Sequence, residues 1–258
     1  MYKNLSINNL KLVRSLKSNK GRIKSDLFVA EGFRLLSELS KKNLCDIKFV
    51  YGKELELDKL KNILHNVEMY LVENKFDNSI FYTENSQECA AVISIPNSGD
   101  IENIITEKPL FYLDEITDPG NMGNIFRSLD WFGFDSLILS ENCVSPYNPK
   151  AVRASMGAVF RVKVYKDIGV KWLENSGKQI LLLDIDFKNF LSEINLPQNA
   201  IYIIGNEAHG LSKSIKNLKH ENVSIKGFGE MESLNAATTV SILCYELSKN
   251  YLKYSTSI

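Results

Sequence analysis

Apolar positions fall into two kinds of run along the chain. Over the first hundred residues the runs are short. A basic amphipathic stretch near 8–18 predicts a helix, LFVAEG (27–32) a strand, FRLLSEL (33–39) a helix, and IKFVYG (47–52), VEMYLV (67–72) and CAAVISI (89–95) three more strands. From residue 109 the runs become nearly continuous and alternate with helical segments. PLFYLDE (109–115), SLILS (136–140), VFRVKVY (159–165), QILLLDI (179–185), AIYIIG (200–205) and NVSIK (222–226) read as strands. Helices fall at IFRSLDWFG (125–133), NPKAVRASMGA (148–158) and about 233–252. A strand apolar at every position must bury both of its sides, so this part predicts an α/β fold with a mostly parallel sheet and helices on both faces. Asn148 before Pro149 suits an N-cap and first helical residue.

Between the two parts, PNSGDIENIITEKP (96–109) has proline at both ends and turn residues early. It predicts a linker at 98–108 joining a small α/β domain, 1–97, to a second domain, 109–258. At 258 residues the chain is long enough for both to bury a core.

Composition narrows the function classes. With 44% hydrophobic and 24% charged residues and zero formal net charge, this is an ordinary globular protein with no global field drawing it to nucleic acid or membrane. The neutral total averages two unlike regions, however. Residues 1–25 hold seven basic side chains and no acid, whereas residues 51–107 hold eleven acids and four lysines. The basic run suits either an RNA-binding arm or a solvated helix face. Cys45, Cys89, Cys143 and Cys244 are too widely spaced for a CxxC metal or redox pair. His65, His209 and His220 form no HExxH, and no GxxxxGK[ST] phosphate loop occurs, so no metal is expected. The first residues lack an apolar leader and no stretch is long enough to span a bilayer, which suggests a cytoplasmic protein without a membrane partner.

Candidate chemistry lies in three polar, glycine-rich loops, each after a strand and before a helix: 114–133, 203–212 and 225–235. In open parallel sheets, ligands gather at the carboxyl ends of the strands. GFGEMES approaches a dinucleotide fingerprint, but Glu232 replaces its third glycine, and Pro119 and Asn121 interrupt the spacing in DPGNMGN. Ser233 suits either a helix N-cap or a ligand contact. A cap at Ser233 would put Asn235 inside the first turn, where asparagine is a poor helix former.

Taken together, the three loops resemble the SpoU (TrmH-type) branch of RNA 2′-O-ribose methyltransferases in the SPOUT superfamily. The motif N-x-G-x-x-x-R-[ST] is present as Asn121, Gly123, Arg127 and Ser128. A strand followed by G-[SN]-E-x-x-G-[LM] is present as Gly205, Asn206, Glu207, Gly210 and Leu211, and E-S-L-N as Glu232, Ser233, Leu234 and Asn235. RASMGAVFRV (153–162) matches the connecting segment, and FVAEGFRLLSEL the small L30e-like substrate-binding domain that precedes many catalytic domains of the family. The chain departs from the family at Lys226 and Gly227, where a proline and a bulky apolar residue are usual.

The resemblance implies a C-terminal trefoil knot and methyl transfer from S-adenosyl-L-methionine to a ribose 2′-hydroxyl of RNA. The two-domain layout favours ribosomal over transfer RNA, and the family usually forms homodimers. Carried over, Gly205, Ile225, Leu234 and Asn235 would hold the cofactor, largely through backbone groups. Arg127 would act on the hydroxyl with an RNA phosphate, while Asn121 would orient the ribose or support Arg127. Glu207 would pair with Arg127 or hold its orientation, and Ser233 and Asn235 would face cofactor and target nucleotide. Lys17, Lys20, Arg22 and Arg153, the last with Lys150 one turn earlier, would contact RNA. The alternative is a noncatalytic RNA-binding or ribosome-assembly protein on the same scaffold. Joint retention of Asn121, Arg127, Glu207, Ser233 and Asn235 argues against it.

Overall fold

The structure, a computed structural model, describes residues 2–40, 45–82, 86–104, 108–185 and 189–255. Two compact units emerge: Met1–Asn97 with Ser145–Arg161, and Ser98–Val144 with Val162–Ile258.

The first unit contains β1 (Lys3–Asn4), α1 (Ile7–Ser15), α2 (Asn19–Ser25), β2 (Leu27–Glu31), α3 (Phe33–Ser40), β3 (Ile47–Gly52), α4 (Glu54–Lys61), β4 (Met69–Leu71), α5 (Asp77–Ile80) and β5 (Cys89–Ser94). Its sheet runs β1-β4-β3-β5-β2, parallel from β1 to β3 and antiparallel across β5. Neighbouring residues on a strand point to opposite faces, and β2 shows the result. Val29 joins Leu10 and Val13 of α1, and Leu16 just beyond it, on one side. On the other, Phe28 meets Tyr147 and Phe160, with ring centroids 4.9 and 6.1 Å away. The segment 145–161, expected from the sequence to belong with the later strands, thus packs in the first unit. It carries the helix Pro149–Ser155, capped as anticipated by the Asn148 side chain. The expected strand 159–165 is shorter than its apolar pattern. Met156 (φ 50°) and Gly157 (φ 95°) turn the chain, Ala158–Phe160 forms one 3-10 turn, and Phe160 is spent on the core.

The second unit contains β6 (Leu110–Leu113), α6 (Pro119–Trp131), β7 (Ser136–Leu139), β8 (Lys163–Tyr165), α8 (Val170–Asn175), β9 (Gln179–Leu183), β10 (Ala200–Ile204), α9 (Lys213–Lys216), β11 (Glu221–Val223) and α10 (Ala236–Ser255); the helix at 149–155 is α7 in chain order. Its six strands, ordered β11-β9-β10-β6-β7-β8, are all parallel. On one face Tyr112, Ile138, Leu182, Ile201 and Ile203 pack with Leu173 of α8 and Ile215 of α9. On the other, Phe111 meets Phe134 just beyond α6 at 4.9 Å, and α10 lies against both α6 and β10. Helices cover both faces, which explains the unbroken apolar runs. The stretch expected as a linker is partly drawn into this core: Ile101 is buried there, and the Ser98 hydroxyl accepts the Val164 N–H of β8 at 3.0 Å.

All four cysteines are free thiols. Burial pushes the Cys89 thiol up to about 12 and raises that of Cys244, so neither is a thiolate near neutral pH. Among the described residues no helix is long and apolar enough to cross a membrane, and no group of three or more His, Cys, Asp or Glu could hold a metal.

Candidate active site

At the carboxyl end of β6 the chain turns sharply through Glu115 (φ 55°). Asp118 then caps α6, its carboxylate accepting the Asn121 N–H at 2.7 Å, with Pro119 in the first turn. This fixes Asn121, whose amide donates to Oε1 of Glu207 in the loop after β10.

That second loop is a tight reversal. Asn206 and Gly210 exchange backbone hydrogen bonds at 3.0 and 2.8 Å, and Gly210 takes φ +66°. Gly205 is required by crowding, since a Cβ there would stand 2.6–2.7 Å from the backbone of Gly210 and Leu211. The Asn206 side chain ties the first two loops together: its amide donates to Glu115 O at 2.7 Å, and its oxygen accepts the N–H of Ala208 at 2.8 Å. A second tie is Asp114, 3% exposed, which accepts the Ser212 N–H at 2.7 Å. Burial raises its carboxyl above the ordinary aspartate value, and the hydrogen bonds from Ser212 oppose that.

The third loop leaves β11 and ends at α10. Asn235 is the residue immediately before this helix, and its side chain accepts the Thr238 N–H at 2.7 Å. The cap is therefore Asn235, not Ser233, and the conflict anticipated for an asparagine inside the first turn does not arise. The Asn235 oxygen is used within the protein, while its amide nitrogen makes no hydrogen bond among the described residues. α10 is pinned to α6 by a 2.6 Å hydroxyl pair, Ser128 with Ser241.

The second and third loops, with the carboxyl end of β9, border a cavity of about 780 Å³, within the range of small-molecule sites. Gly205, Glu207, Ile225, Ser233 and Leu234 all line it, with Asn235 next in the chain. Apolar side chains Leu183, Ile204 and Leu211 share the wall with the carboxylates Asp184, Glu207 and Glu232 and with Lys216 and Lys226.

Other expected site residues are placed differently. Arg127 is exposed on α6 and makes no hydrogen bond or ion pair among the described residues. Glu207 engages Asn121, so the expected Glu207 to Arg127 pair is not formed. Lys17 and Lys20 are exposed in the first unit, Lys17 lying 5.0 Å from the Tyr82 ring centroid. Arg153 is exposed on α7 of that unit. Arg22 corrects the sequence expectation: it is 3% exposed, and its guanidinium donates to Leu16 O and Lys17 O, both at 3.0 Å, and to Asn19 Oδ1 at 3.3 Å. It holds the corner between α1 and α2 and is not a surface cation. Sequence reasoning gave no role to Asp114, Asn206 or Ser241. Only Asn206 lay within a motif that could have flagged it.

Residues 108–245 match the sequence model of the SpoU rRNA Methylase family, and residues 8–91 that of the MRM3-like substrate binding domain. The chain belongs to the SpoU rRNA methylase family. It is 24% identical over 237 residues, 91% of this chain and 93% of the other, to the 23S rRNA (guanosine(2553)-2′-O)-methyltransferase RlmP of Bacillus subtilis. A solved structure of a TrmH-family protein from Porphyromonas gingivalis superposes with a TM-score of 0.82 at 28% identity, covering 95% of this chain and 99% of that one. The SpoU methyltransferase AviRb of Streptomyces viridochromogenes, solved in complex with the cofactor AdoMet, shares the fold with a TM-score of 0.82 at 23% identity, covering 96% of this chain and 99% of that one.

Proposed function

We propose that the protein is an S-adenosyl-L-methionine-dependent methyltransferase acting on a ribose 2′-hydroxyl of ribosomal RNA. The observation that carries this is the hydrogen bond from Asn121 to Glu207, which joins the first motif to the wall of the cavity formed by the other two. The cavity's chemistry fits the cofactor. Apolar strand ends at Leu183 and Ile204 suit a purine, Asp184, Glu207 and Glu232 complement positive charge, and Lys216 and Lys226 complement a carboxylate. Gly205, Ile225, Leu234 and Asn235 would hold it.

When bound, this cofactor supplies a methyl group already activated on a sulfonium sulfur, ready for in-line transfer without a metal. The protein's work is then alignment, which can supply as much as about 7–11 kcal/mol of a barrier. Asn121 holds the Glu207 carboxylate in one orientation. Ser233 and the amide of Asn235 would offer hydrogen bonds to the ribose. A guanidinium is a hydrogen-bond donor rather than a base, so Arg127 would polarise the hydroxyl and clamp a neighbouring phosphate, with the hydroxyl proton passing to solvent water.

The same reading includes a trefoil knot at the C-terminal loops, an RNA-binding role for residues 1–97 through Lys17 and Lys20, a contact from Arg153, and a cytoplasmic homodimer. Supporting a dimer, Trp131 at the end of α6 is 83% exposed, and Tyr245 of α10, also exposed, packs edge-on to Phe132 at 6.3 Å. The test is incubation of the purified protein with methyl-labelled cofactor and rRNA from cells lacking the protein. Label in one alkali-resistant dinucleotide is expected; label on a base, or none, would contradict the assignment.

A further inference from the structure

Three exposed large apolar side chains share a single loop, and two of them are the most open to solvent among the described residues. Phe228 is 90% exposed, Met231 87% and Leu234 46%, and all three line the cavity. Scattered exposed apolar residues are ordinary, but a cluster rimming a cavity marks a binding surface. Phe228 stands between Gly227 and Gly229, where an added Cβ would meet nothing within 4 Å. Crowding does not impose these glycines. Their effect is to leave the chain on either side of the ring without side chains.

The base of the loop is held, in contrast to its tip. Lys226 Nζ lies 5.0 Å from the Phe190 ring centroid, 3.6 Å from Glu193 Oε1 and 5.7 Å from the Phe228 centroid. An aromatic face is thus presented at the rim with a cation beside it. A nucleotide drawn out of its stack so that its 2′-hydroxyl can reach the cavity loses a few kcal/mol of stacking. An exposed ring at the point of entry can restore it, for any base, because every base has a π-face.

We infer that Phe228 is the stacking platform for the base of the target nucleotide. This rests on the RNA methyltransferase assignment above. Two other occupants of the ring, the cofactor's own purine beneath a closed loop and a second copy of the chain, give different outcomes in the same experiment.

Wild type, Phe228→Ala, Phe228→Leu and Phe228→Trp are compared by KM for rRNA from cells lacking the protein, by calorimetry with S-adenosyl-L-methionine, and by sedimentation. Since Phe228 is at the surface, the variants should fold, which their melting midpoints check. For Phe228→Ala the expected result is a rise in KM for RNA of about 10-fold, the loss of one stacked base. Phe228→Leu should match it and Phe228→Trp should restore wild-type KM, with cofactor affinity within about 2-fold and mass unchanged throughout. An unchanged KM in Phe228→Ala, or full rescue by leucine, would overturn the inference. So would a weakened cofactor affinity, which assigns the ring to the cofactor, or a changed mass, which assigns it to a subunit contact. Wild-type protein that transfers no methyl group to RNA would instead remove the functional assignment, and this inference with it.

Discussion

Two arginines, both singled out by the sequence as RNA contacts or catalytic groups, end in opposite circumstances. Arg22 is buried at the turn between α1 and α2, with three hydrogen bonds to that corner. Arg127 stands exposed on α6 with no partner among the described residues. The helix carrying Arg127 is itself firmly held, by the Asp118 cap and the Ser128 to Ser241 pair. A charge absorbed by the fold stabilises it; a charge left open on a rigid support remains available to a substrate. The same contrast separates two neighbours at the α10 end of the third loop, where Asn235 is engaged as a cap and Ser233 makes no hydrogen bond among the described residues.

Substitution tests this division from its strongest consequence downward. Arg127→Ala should slow methyl transfer about 10²- to 10⁴-fold, with cofactor affinity within a few-fold and the melting midpoint unmoved. Loss of cofactor binding instead would place Arg127 in the wrong role. Arg22→Ala should do the reverse, costing about 2–3 kcal/mol in denaturant unfolding because the Leu16 and Lys17 carbonyls, just after α1, lose a charged donor. Gly205→Ala should cost about 1–3 kcal/mol, since the facing atoms are the backbone of Gly210 and cannot swing aside, and calorimetry should show weakened cofactor binding.

Two smaller effects sharpen the comparison further. Neutralising Lys17 and Lys20 together should leave stability alone and reduce the slope of log affinity for RNA against log salt by roughly 1.5, as expected for two lost phosphate contacts. Asp114 should impose a gentle pH dependence. Its folded-state pKa is raised, so the native protein holds the proton more tightly than the unfolded chain does, and stability falls as pH rises from the ordinary aspartate range through the folded value. Asp114→Asn keeps an acceptor for the Ser212 N–H, so it should gain stability relative to wild type at pH 7 and lose that advantage near pH 4. A constant difference across that range would assign the burial penalty elsewhere.

The parallel sheet was legible because strands buried on both faces must be apolar throughout, and the three motifs were legible because their spacing survives in order. Other features depend on geometry that no local pattern encodes. The apolar run at 159–165 serves a 3-10 turn as well as a strand, since Phe160 is buried against Phe28 rather than paired in a ladder. Charge is visible in a sequence, but burial is not, and Arg22 reads like its lysine neighbours until Leu16 O and Lys17 O are seen to surround it. Ser233 and Asn235 are both good caps by type. The choice between them follows from where α10 begins, which the packing of α10 on α6 and β10 determines.

The central claim is that Asn121, Glu207 and the loop ending at Asn235 bring a methyl donor and a ribose together beside Arg127. Mapping 2′-O-methyl groups in rRNA from cells carrying the wild-type chain, the Arg127→Ala chain or neither tests it most directly. One position methylated with wild type and unmethylated in the other two is the expected result. Identical maps in all three would contradict the account.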